Sequence, residues 1–251
     1  MIYSTNNPRI KNISKLKDIK NIKKQQKYII EGLHLLEEAI NSKVVELIIK
    51  SESFDKNINF DISGIEVITI DEKATKLLSD TVTSQGIFAI CKIEEKELDI
   101  SKYNNILVLD KIQDPGNLGT IVRTADAFNF DAIILSKGTT SLYAPKVMRS
   151  MQGSNFHINC FDNIDLPLFL DSLQNFDILA TSLDTNESLE DIQTIKSKCA
   201  IILGNEANGV STETLNKVNR KVKINMPGQA ESLNVAVAAG IMMHYIKNIL
   251  K

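Results

Sequence analysis

The sequence predicts an α/β protein in which two domains follow one another, the second built on a parallel sheet. Short β-branched runs alternate with segments of helical periodicity along the chain, as is typical of α/β folds. Runs such as "AIIL" at 200–203 are apolar throughout, which indicates strands covered on both faces and therefore a parallel sheet. The chain has 251 residues, 43% of them apolar and 24% charged, and this suits one large or two unequal globular domains.

The predicted first domain covers residues 1–98 and contains both kinds of element. The stretch "KYIIEGLHLLEEAI", from residue 27 onward, places Ile30, Leu33, Leu36 and Ile40 at helical spacing, so we expect a helix there. A charged and polar stretch, "EEKELDISKYNN", predicts the linker that follows the domain. Strands are expected at 44–51, 66–71 and 86–93, with a helix at 72–81.

The predicted second domain covers residues 104–251 and repeats the alternation more strongly. Pro145 suits the first turn of one helix, and Ser211 suits the cap of another. The closing helix is expected to start near Ser232. Strands are expected at 105–112, 131–136, 156–161, 177–183, 200–206 and 221–226, and helices at 117–129, 144–154, 165–176 and 211–220.

A strongly basic run lies near the start of the chain. Residues 9–27, "RIKNISKLKDIKNIKKQQK", carry eight basic groups and one acidic group, although the whole chain has a net charge of only −2. Lys and Arg at this density form a positive face, and a phosphate backbone is the usual partner of such a face. A solvated surface helix is the alternative. Arg9, Lys20, Lys23 and Lys24 are therefore candidate RNA-binding residues.

Several classes of protein are disfavoured by what the sequence lacks. The apolar runs are shorter than the roughly 20 residues of a membrane span, and the N-terminus has no apolar signal core, so a cytoplasmic protein is expected. The sequence contains no G-x-G-x-x-G, no phosphate-binding loop and no G-x-S-x-G. Cys91, Cys160 and Cys199 are far apart and the histidines are scattered, so we expect buried thiols and no metal site.

Three loops with unusual composition follow strands of the second domain. Their sequences are "DKIQDPGNLGTIVRTADA", "LGNEANGVS" and "NMPGQAESLN". In an open α/β sheet, ligands bind outside the carboxyl ends of the strands, so these loops predict the functional site. The helix after the third loop begins "VAVAAGIMM", where a surface helix would carry Lys and Glu. This composition indicates a helix buried in the core.

Taken in order, these loops resemble a known family. The segments "NLGTIVRTADAF", "IILGNEANGVS" and "INMPGQAESLNVAVAAGI" resemble motifs one, two and three of the SpoU/TrmH family of SPOUT RNA 2′-O-ribose methyltransferases, over about residues 104–251. Residues 1–98 resemble the substrate-binding domain of such enzymes, a small α/β sandwich similar to ribosomal-protein RNA-binding domains. The resemblance implies a deep trefoil knot, which is rare among proteins. The small residues Ala236, Ala238, Ala239 and Gly240 suit a helix that threads through a loop.

The resemblance also implies a cofactor and the residues that hold it. Family members bind S-adenosylmethionine in a bent shape inside the knot, largely through backbone groups. Ile224 and Leu233 would bond the adenine through their backbone, with apolar side chains on its faces. The implied cofactor-binding residues are Thr181, Gly204, Ile224, Met226 and Leu233.

A catalytic set is implied in the same way. Asn225 stands where the family commonly has Pro, and Ala236 where a second Ser is frequent, and these two departures bear on the subfamily. The implied catalytic residues are Asn117, Arg123, Glu206, Ser232 and Asn234.

The role of Arg123 can be argued from chemistry. A ribose hydroxyl is a poor nucleophile until its proton is removed or its developing negative charge is stabilised. Arg123 corresponds to a residue that is often described as the general base, but a guanidinium essentially never deprotonates in a protein. We therefore favour a fixed cation that stabilises the oxygen or holds the adjacent phosphate. Ser232 and Asn234 would orient it, and Glu206 would orient Asn117 or position the ribose.

The expected protein is thus an RNA 2′-O-methyltransferase. The extra N-terminal domain favours ribosomal RNA, such as 23S, as the substrate; a transfer-RNA methyltransferase and a non-catalytic RNA-binding or assembly factor are the alternatives. A homodimer is expected, since family members pair through the closing helix and the helix of motif one. The predicted apolar stripe comprises Ile241, Met242, Tyr245 and Ile249.

Overall fold

The structure, a computed structural model, describes residues 2–250 of the chain. It divides into two compact units. The first comprises the chain up to Glu95 together with Ser141–Phe156, and the second comprises Lys96–Thr140 and the chain from His157 onward. The sequence analysis assigned 141–156 to the second domain. In the structure this segment groups with the first unit, because its helix packs on a strand of that unit and Tyr143 lies against Tyr28, with ring centroids 4.8 Å apart.

The chain up to Lys92 forms short helices and strands. In order they are β1 (Ile2–Tyr3), α1 (Pro8–Ser14), α2 (Ile19–Gln25), β2 (Lys27–Glu31), α3 (Leu33–Asn41), β3 (Val45–Ser51), β4 (Glu66–Ile70), α4 (Glu72–Leu78) and β5 (Ile87–Lys92).

The rest of the chain alternates strands and helices with few exceptions. In order the elements are β6 (Asn105–Asp110), α5 (Pro115–Ala127), β7 (Ala132–Ser136), α6 (Pro145–Met151), β8 (Asn159–Ile164), α7 (Leu166–Asp171), β9 (Asp177–Thr181), β10 (Cys199–Gly204), α8 (Thr212–Leu215), β11 (Arg220–Val222) and α9 (Val235–Ile249).

The first unit contains a mixed sheet of five strands in the order β1-β4-β3-β5-β2. The strand β4 pairs in parallel with β1 and β3, whereas β5 is antiparallel to β3 and β2. The helix predicted from residue 27 onward is wrong in its first part. Residues 27–31 are the edge strand β2, and only the part from Leu33 is helical. Tyr28, Ile29 and Ile30 are all buried, and a run that is apolar on both faces suits a strand better than a helix.

The second unit contains a sheet of six strands in the order β11-β9-β10-β6-β7-β8, with every neighbouring pair parallel. This confirms the parallel sheet. Strand β10 lies at its centre, and all of its residues are buried, as the apolar run "AIIL" predicts. Because the strands are parallel, their carboxyl ends meet at one edge of the sheet.

Two helices at that edge begin at residues other than those predicted. Helix α5 begins at Pro115, two residues before Asn117, because Asp114 caps it by accepting a hydrogen bond from the Asn117 backbone at 2.8 Å. Helix α9 begins at Val235, after Ser232, because the side chain of Asn234 accepts hydrogen bonds from the first turn. Both starts are therefore set by a capping side chain.

Helix α9 packs against α5 and β10. Ala239 is fully buried, so the close approach depends on it. A Cβ on Gly240 would lie 3.8 Å from Thr124 Cγ2, an ordinary contact, so Gly240 is not required for the packing.

The apolar stripe predicted on the surface of α9 is wrong for Met242, which lies on the buried face of the helix with Ala239. Tyr245 donates its hydroxyl to main-chain carbonyls within the same unit.

The basic run 9–27 forms α1 and α2, which bury one apolar side in the first unit. Part of its charge is neutralised. The Arg9 guanidinium donates two hydrogen bonds to the Glu66 carboxylate, at 2.6 and 2.5 Å, and holds the pKa of that carboxyl below its usual value. Lys17 pairs with Asp80 at 2.8 Å. The three lysines predicted on α2, by contrast, are exposed.

The cysteines are free thiols; Cys91 and Cys199 are buried as predicted, whereas Cys160 is half-buried. Burial raises the pKa of Cys199 to about 12, so this thiol stays protonated.

Every helix between residues 2 and 250 is too short or too polar to span a bilayer. In the same part of the chain no three His, Cys, Asp or Glu side chains cluster as metal ligands.

Candidate active site

A cavity of about 670 Å³ lies at the edge of the second-unit sheet where the carboxyl ends of three neighbouring strands meet. Thr181 ends β9, Gly204 ends β10 and Val222 ends β11, and all three line it. Its size suits a nucleoside-sized ligand. The cavity is formed by the loops that the sequence analysis singled out after β10 and β11, together with the loop after β9.

All five residues predicted to bind the cofactor line this cavity. The structure explains why position 204 is glycine. A Cβ on Gly204 would lie 2.0 Å from the backbone of both Gly209 and Val210, so any side chain would collide with the main chain of the following loop. The loop therefore closes directly on the end of β10 and walls the cavity on that side.

The cavity is apolar in its depth and charged at its rim. Leu203 and Val210 are buried, and Leu215 and Ala238 extend the same apolar lining. Sequence reasoning did not single out the charged groups on the rim, although Glu231 stands within the third loop. They are Asp184, Lys223 and Glu231.

Three of the five predicted catalytic residues are joined by hydrogen bonds. Asn117 donates its side-chain amide to Glu206 Oε1 at 3.0 Å, and Asn234 donates its amide to Asn117 Oδ1 at 2.9 Å. Asn234 Oδ1 in turn accepts from the backbone of Ala236 at 2.9 Å and of Val237 at 3.3 Å. We call Glu206, Asn117 and Asn234 the amide relay.

The ends of the relay fix the direction of its hydrogen bonds. A carboxylate only accepts, and the backbone N–H groups at the start of α9 only donate, so both amides must point their nitrogens towards Glu206. Glu206 also accepts the backbone N–H groups of Gln113 and Asp114, both at 3.2 Å. The "DP" at 114–115, an N-cap followed by Pro, is the sequence signal that could have predicted these donors.

Glu206 is ionised at neutral pH. Partial burial on its own would raise the pKa of this carboxyl, but the hydrogen bonds from Asn117 and from the Gln113 and Asp114 backbone outweigh burial and hold the pKa below its usual value. Both oxygens of the Glu206 carboxylate can therefore accept hydrogen bonds at any pH near neutrality.

The structure does not bring Arg123 and Ser232 into the relay. Ser232 is exposed and lines the cavity. Arg123 is exposed on α5, does not line the cavity, and makes no hydrogen bond or ion pair with any of residues 2–250. It lies six residues after Asn117 on α5, which rotates its side chain well away from the face that carries the relay.

Fold and site together define an α/β enzyme that binds a nucleoside-sized ligand at the carboxyl edge of a parallel sheet. The model of the SpoU rRNA methylase family matches residues 104–244, and that of the MRM3-like substrate binding domain matches residues 7–89. The chain belongs to the SpoU rRNA methylase family.

Proteins of known sequence and structure are similar to this one over nearly its whole length. The 23S rRNA (guanosine(2553)-2′-O)-methyltransferase of Bacillus subtilis is 38% identical, covering 98% of each chain. A crystal structure of an RNA 2′-O ribose methyltransferase is 27% identical, with a TM-score of 0.85 over 99% of each chain. The AdoMet-bound rRNA methyltransferase of Sinorhizobium meliloti, 24% identical, shares the fold with a TM-score of 0.87 over 100% of this chain and 99% of that one.

These findings confirm the expected enzyme class. The chain is an RNA 2′-O-ribose methyltransferase that uses S-adenosylmethionine as its methyl donor. The cavity fits that donor in size, and its apolar depth with charged rim suits an adenosine joined to an amino acid.

Replacing Glu206 by Gln tests the relay. The side-chain amide introduced at position 206 would have only one acceptor oxygen in place of two. In either orientation its NH₂ group would therefore face an N–H donor of Asn117, Gln113 or Asp114, and that hydrogen bond would be lost. We expect Glu206→Gln to lower the single-turnover rate of methyl transfer about 10-fold or more. Glu213→Gln, an exposed carboxylate on α8, is the matched control and should keep the wild-type rate. Equal rates for the two variants would contradict the relay.

Proposed function

We propose that this enzyme methylates the 2′-hydroxyl of a guanosine in 23S ribosomal RNA, at the position corresponding to 2553 in its Bacillus relative. The observation that supports this substrate is the 38% identity over 98% of both chains, which includes the RNA-binding part as well as the catalytic part. Such a reaction would take place in the cytoplasm. When bound, S-adenosylmethionine would supply a methyl group on a cationic sulfur for in-line transfer to the ribose oxygen, and the hydroxyl proton would leave to solvent.

The cofactor pocket is a deep trefoil knot. Helix α9 threads through the loops at the carboxyl edge of the sheet, and its buried Ala239 and its packing against α5 and β10 support this. The contact of Gly204 with the backbone of Gly209 supports the tight crossing that a knot needs. Ile224 and Leu233 contribute backbone groups to the adenine, with Thr181 and Met226 beside them.

The relay stabilises the ribose oxygen. Each amide nitrogen carries two hydrogens, and Asn117 and Asn234 each use one of them within the relay. The remaining N–H groups are donors that suit a negative charge developing on the ribose oxygen. The position of Ser232 on the cavity rim supports a role for its hydroxyl in orienting the ribose.

Arg123 acts from outside the cofactor cavity as a fixed cation. Its exposure and its lack of a partner among residues 2–250 support a role towards bound RNA. Because a guanidinium stays protonated, its contribution is charge and hydrogen bonding.

The enzyme works as a homodimer with twofold symmetry. Val237 and Ile241 on α9 are 52% and 38% exposed, and they replace Met242 in the expected contact surface. Light scattering at micromolar concentration tests this, and a monomer there would contradict it.

Labelled methyl transfer to defined transcripts tests the substrate. A fragment of 23S rRNA that contains the guanosine corresponding to 2553 of the relative should accept one methyl group. The same fragment with 2′-deoxyguanosine at that position is the matched control and should accept none. A transfer-RNA transcript that is methylated while the 23S fragment is not would contradict the proposal.

The exposed lysines of α2 are proposed to contact RNA phosphates. Replacing Lys20, Lys23 and Lys24 together by Ala should flatten the fall of RNA affinity with salt, because each phosphate contact releases about one counterion. Cofactor affinity should not change. Replacing Arg9 should affect this slope less, since its guanidinium already pairs with Glu66. An unchanged slope in the triple variant would show that α2 is only a solvated face.

Single-turnover kinetics separate the two roles of Arg123. If it stabilises the ribose oxygen, Arg123→Ala should lower the rate at saturating RNA by about 100-fold or more. Arg123→Lys keeps the charge but loses the planar fork, so a partial rescue is expected. If Arg123 only holds a phosphate, saturating RNA should restore the rate and the defect should lie in KM. A near-wild-type rate at saturation would make Arg123 a binding residue.

A further inference from the structure

Glu206 sits in an irregular loop, residues 205–211, between β10 and α8. The loop is exposed over most of its length, so no packing of the Glu206 side chain against the core holds it in place. Apart from the hydrogen bonds of the carboxylate itself and the close approach of Gly209 to Gly204, what places the carboxylate next to Asn117 is the way in which the two ends of the loop are fixed.

The entry of the loop is fixed by the side chain of Asn205. Its Oδ1 accepts the backbone N–H groups of Ala207 and Asn208, at 3.0 and 3.1 Å, which forms a tight turn around Glu206. Its Nδ2 donates to the backbone carbonyl of Lys111 at 2.9 Å, which ties the turn to the loop that leads into α5. One side chain thus both shapes the turn and attaches it to the segment that carries Gln113 and Asn117.

The exit of the loop is fixed by Asp110, the last residue of β6. This side chain is only 2% exposed, and its Oδ2 accepts both the backbone N–H of Ser211 at 2.9 Å and the Ser211 hydroxyl at 2.6 Å. In the sheet Asp110 pairs with Gly204, the residue immediately before the loop. Two adjacent residues, Asp110 and Lys111, therefore bind both ends of the loop that carries Glu206.

A buried carboxylate is a costly way to hold a loop. Desolvation of a charged group is unfavourable unless hydrogen bonds offset it, and a neutral side chain could fill the same space. The two hydrogen bonds to Ser211 are charge-assisted, shorter and more directional than neutral ones. Such bonds fix a position more sharply than apolar packing does.

We propose that Asp110 and Asn205 are positioning residues for methyl transfer, which act through Glu206 by fixing the ends of the loop that presents it to Asn117. The inference rests on the proposed role of the relay. A misplacement of the carboxylate by about 1 Å would break its contacts with Asn117 and with the Gln113 backbone, and such a shift can lower a rate by up to about 100-fold.

The test is a double-mutant cycle on single-turnover methyl transfer by the full chain, at saturating RNA and cofactor. Asp110→Ala should lower the rate about 10-fold or more, whereas Asp110→Asn keeps an acceptor oxygen for Ser211 and should stay within about 3-fold of wild type. Asn205→Asp keeps the acceptor for the turn and loses the donor to Lys111, so it should also be slow. In a Glu206→Ala background, Asp110→Ala should lower the rate no further.

The matched control is Asp131, which accepts two backbone N–H groups, of Asn104 and Asn105 at 2.7 and 2.8 Å, at the opposite end of β6. Asp131→Ala should lower the melting temperature and leave the single-turnover rate unchanged. Equal rate losses for Asp131→Ala and Asp110→Ala, or losses that add in the cycle, would overturn the inference and leave the relay intact. A wild-type rate for Glu206→Ala would overturn the relay itself, and with it the role of Asp110.

Discussion

The site depends on the closure of one loop onto the end of one strand. Gly204 ends β10 at the centre of the sheet, and the backbone of Gly209 and Val210 occupies the space that a Cβ would need. This contact makes the loop a common wall: the cofactor cavity lies on one side of it, and Glu206 reaches Asn117 from it. The shape of the cavity and the position of the Glu206 carboxylate therefore depend on the same few backbone atoms.

The electrostatics of this arrangement suit a sulfonium methyl donor. The cofactor carries a positive charge, and Glu206 is a carboxylate held in its ionised form by three hydrogen bonds. Three donors already occupy the carboxylate, and this favours the proposed role in which it fixes the amides over one in which it accepts a proton. The direction of the relay then leaves N–H groups, the polarity that stabilises a negative oxygen, at the position where the ribose is proposed to bind.

Much of the fold and of the candidate site could be predicted from the sequence. The features that could not be predicted were missed for physical reasons. The parallel sheet follows from strands such as "AIIL", and the cavity-lining residues follow from motifs whose order and spacing place them at one edge. The helix predicted over residues 27–31 is wrong because Ile30 happens to fall at helical spacing with the apolar residues of α3, although the segment is a strand. Asp110 and Asn205 could not be identified, because Ser211 lies 101 residues from Asp110 and Lys111 lies 94 residues from Asn205, and such hydrogen bonds leave no periodic signal in the sequence.

The position of Arg123 follows the same electrostatic logic. A guanidinium inside the cofactor cavity would repel the sulfonium, and two unit charges 4 Å apart at a protein surface interact by about 4 kcal/mol. On the exposed face of α5, outside the cavity, the cation does not oppose cofactor binding. In the role proposed for Arg123, its attraction is exerted only when RNA brings a phosphate or a developing alkoxide to it, so the charge costs little in the resting enzyme. The position of Arg123 outside the cavity is therefore compatible with binding a cationic donor beside the hydroxyl that it methylates.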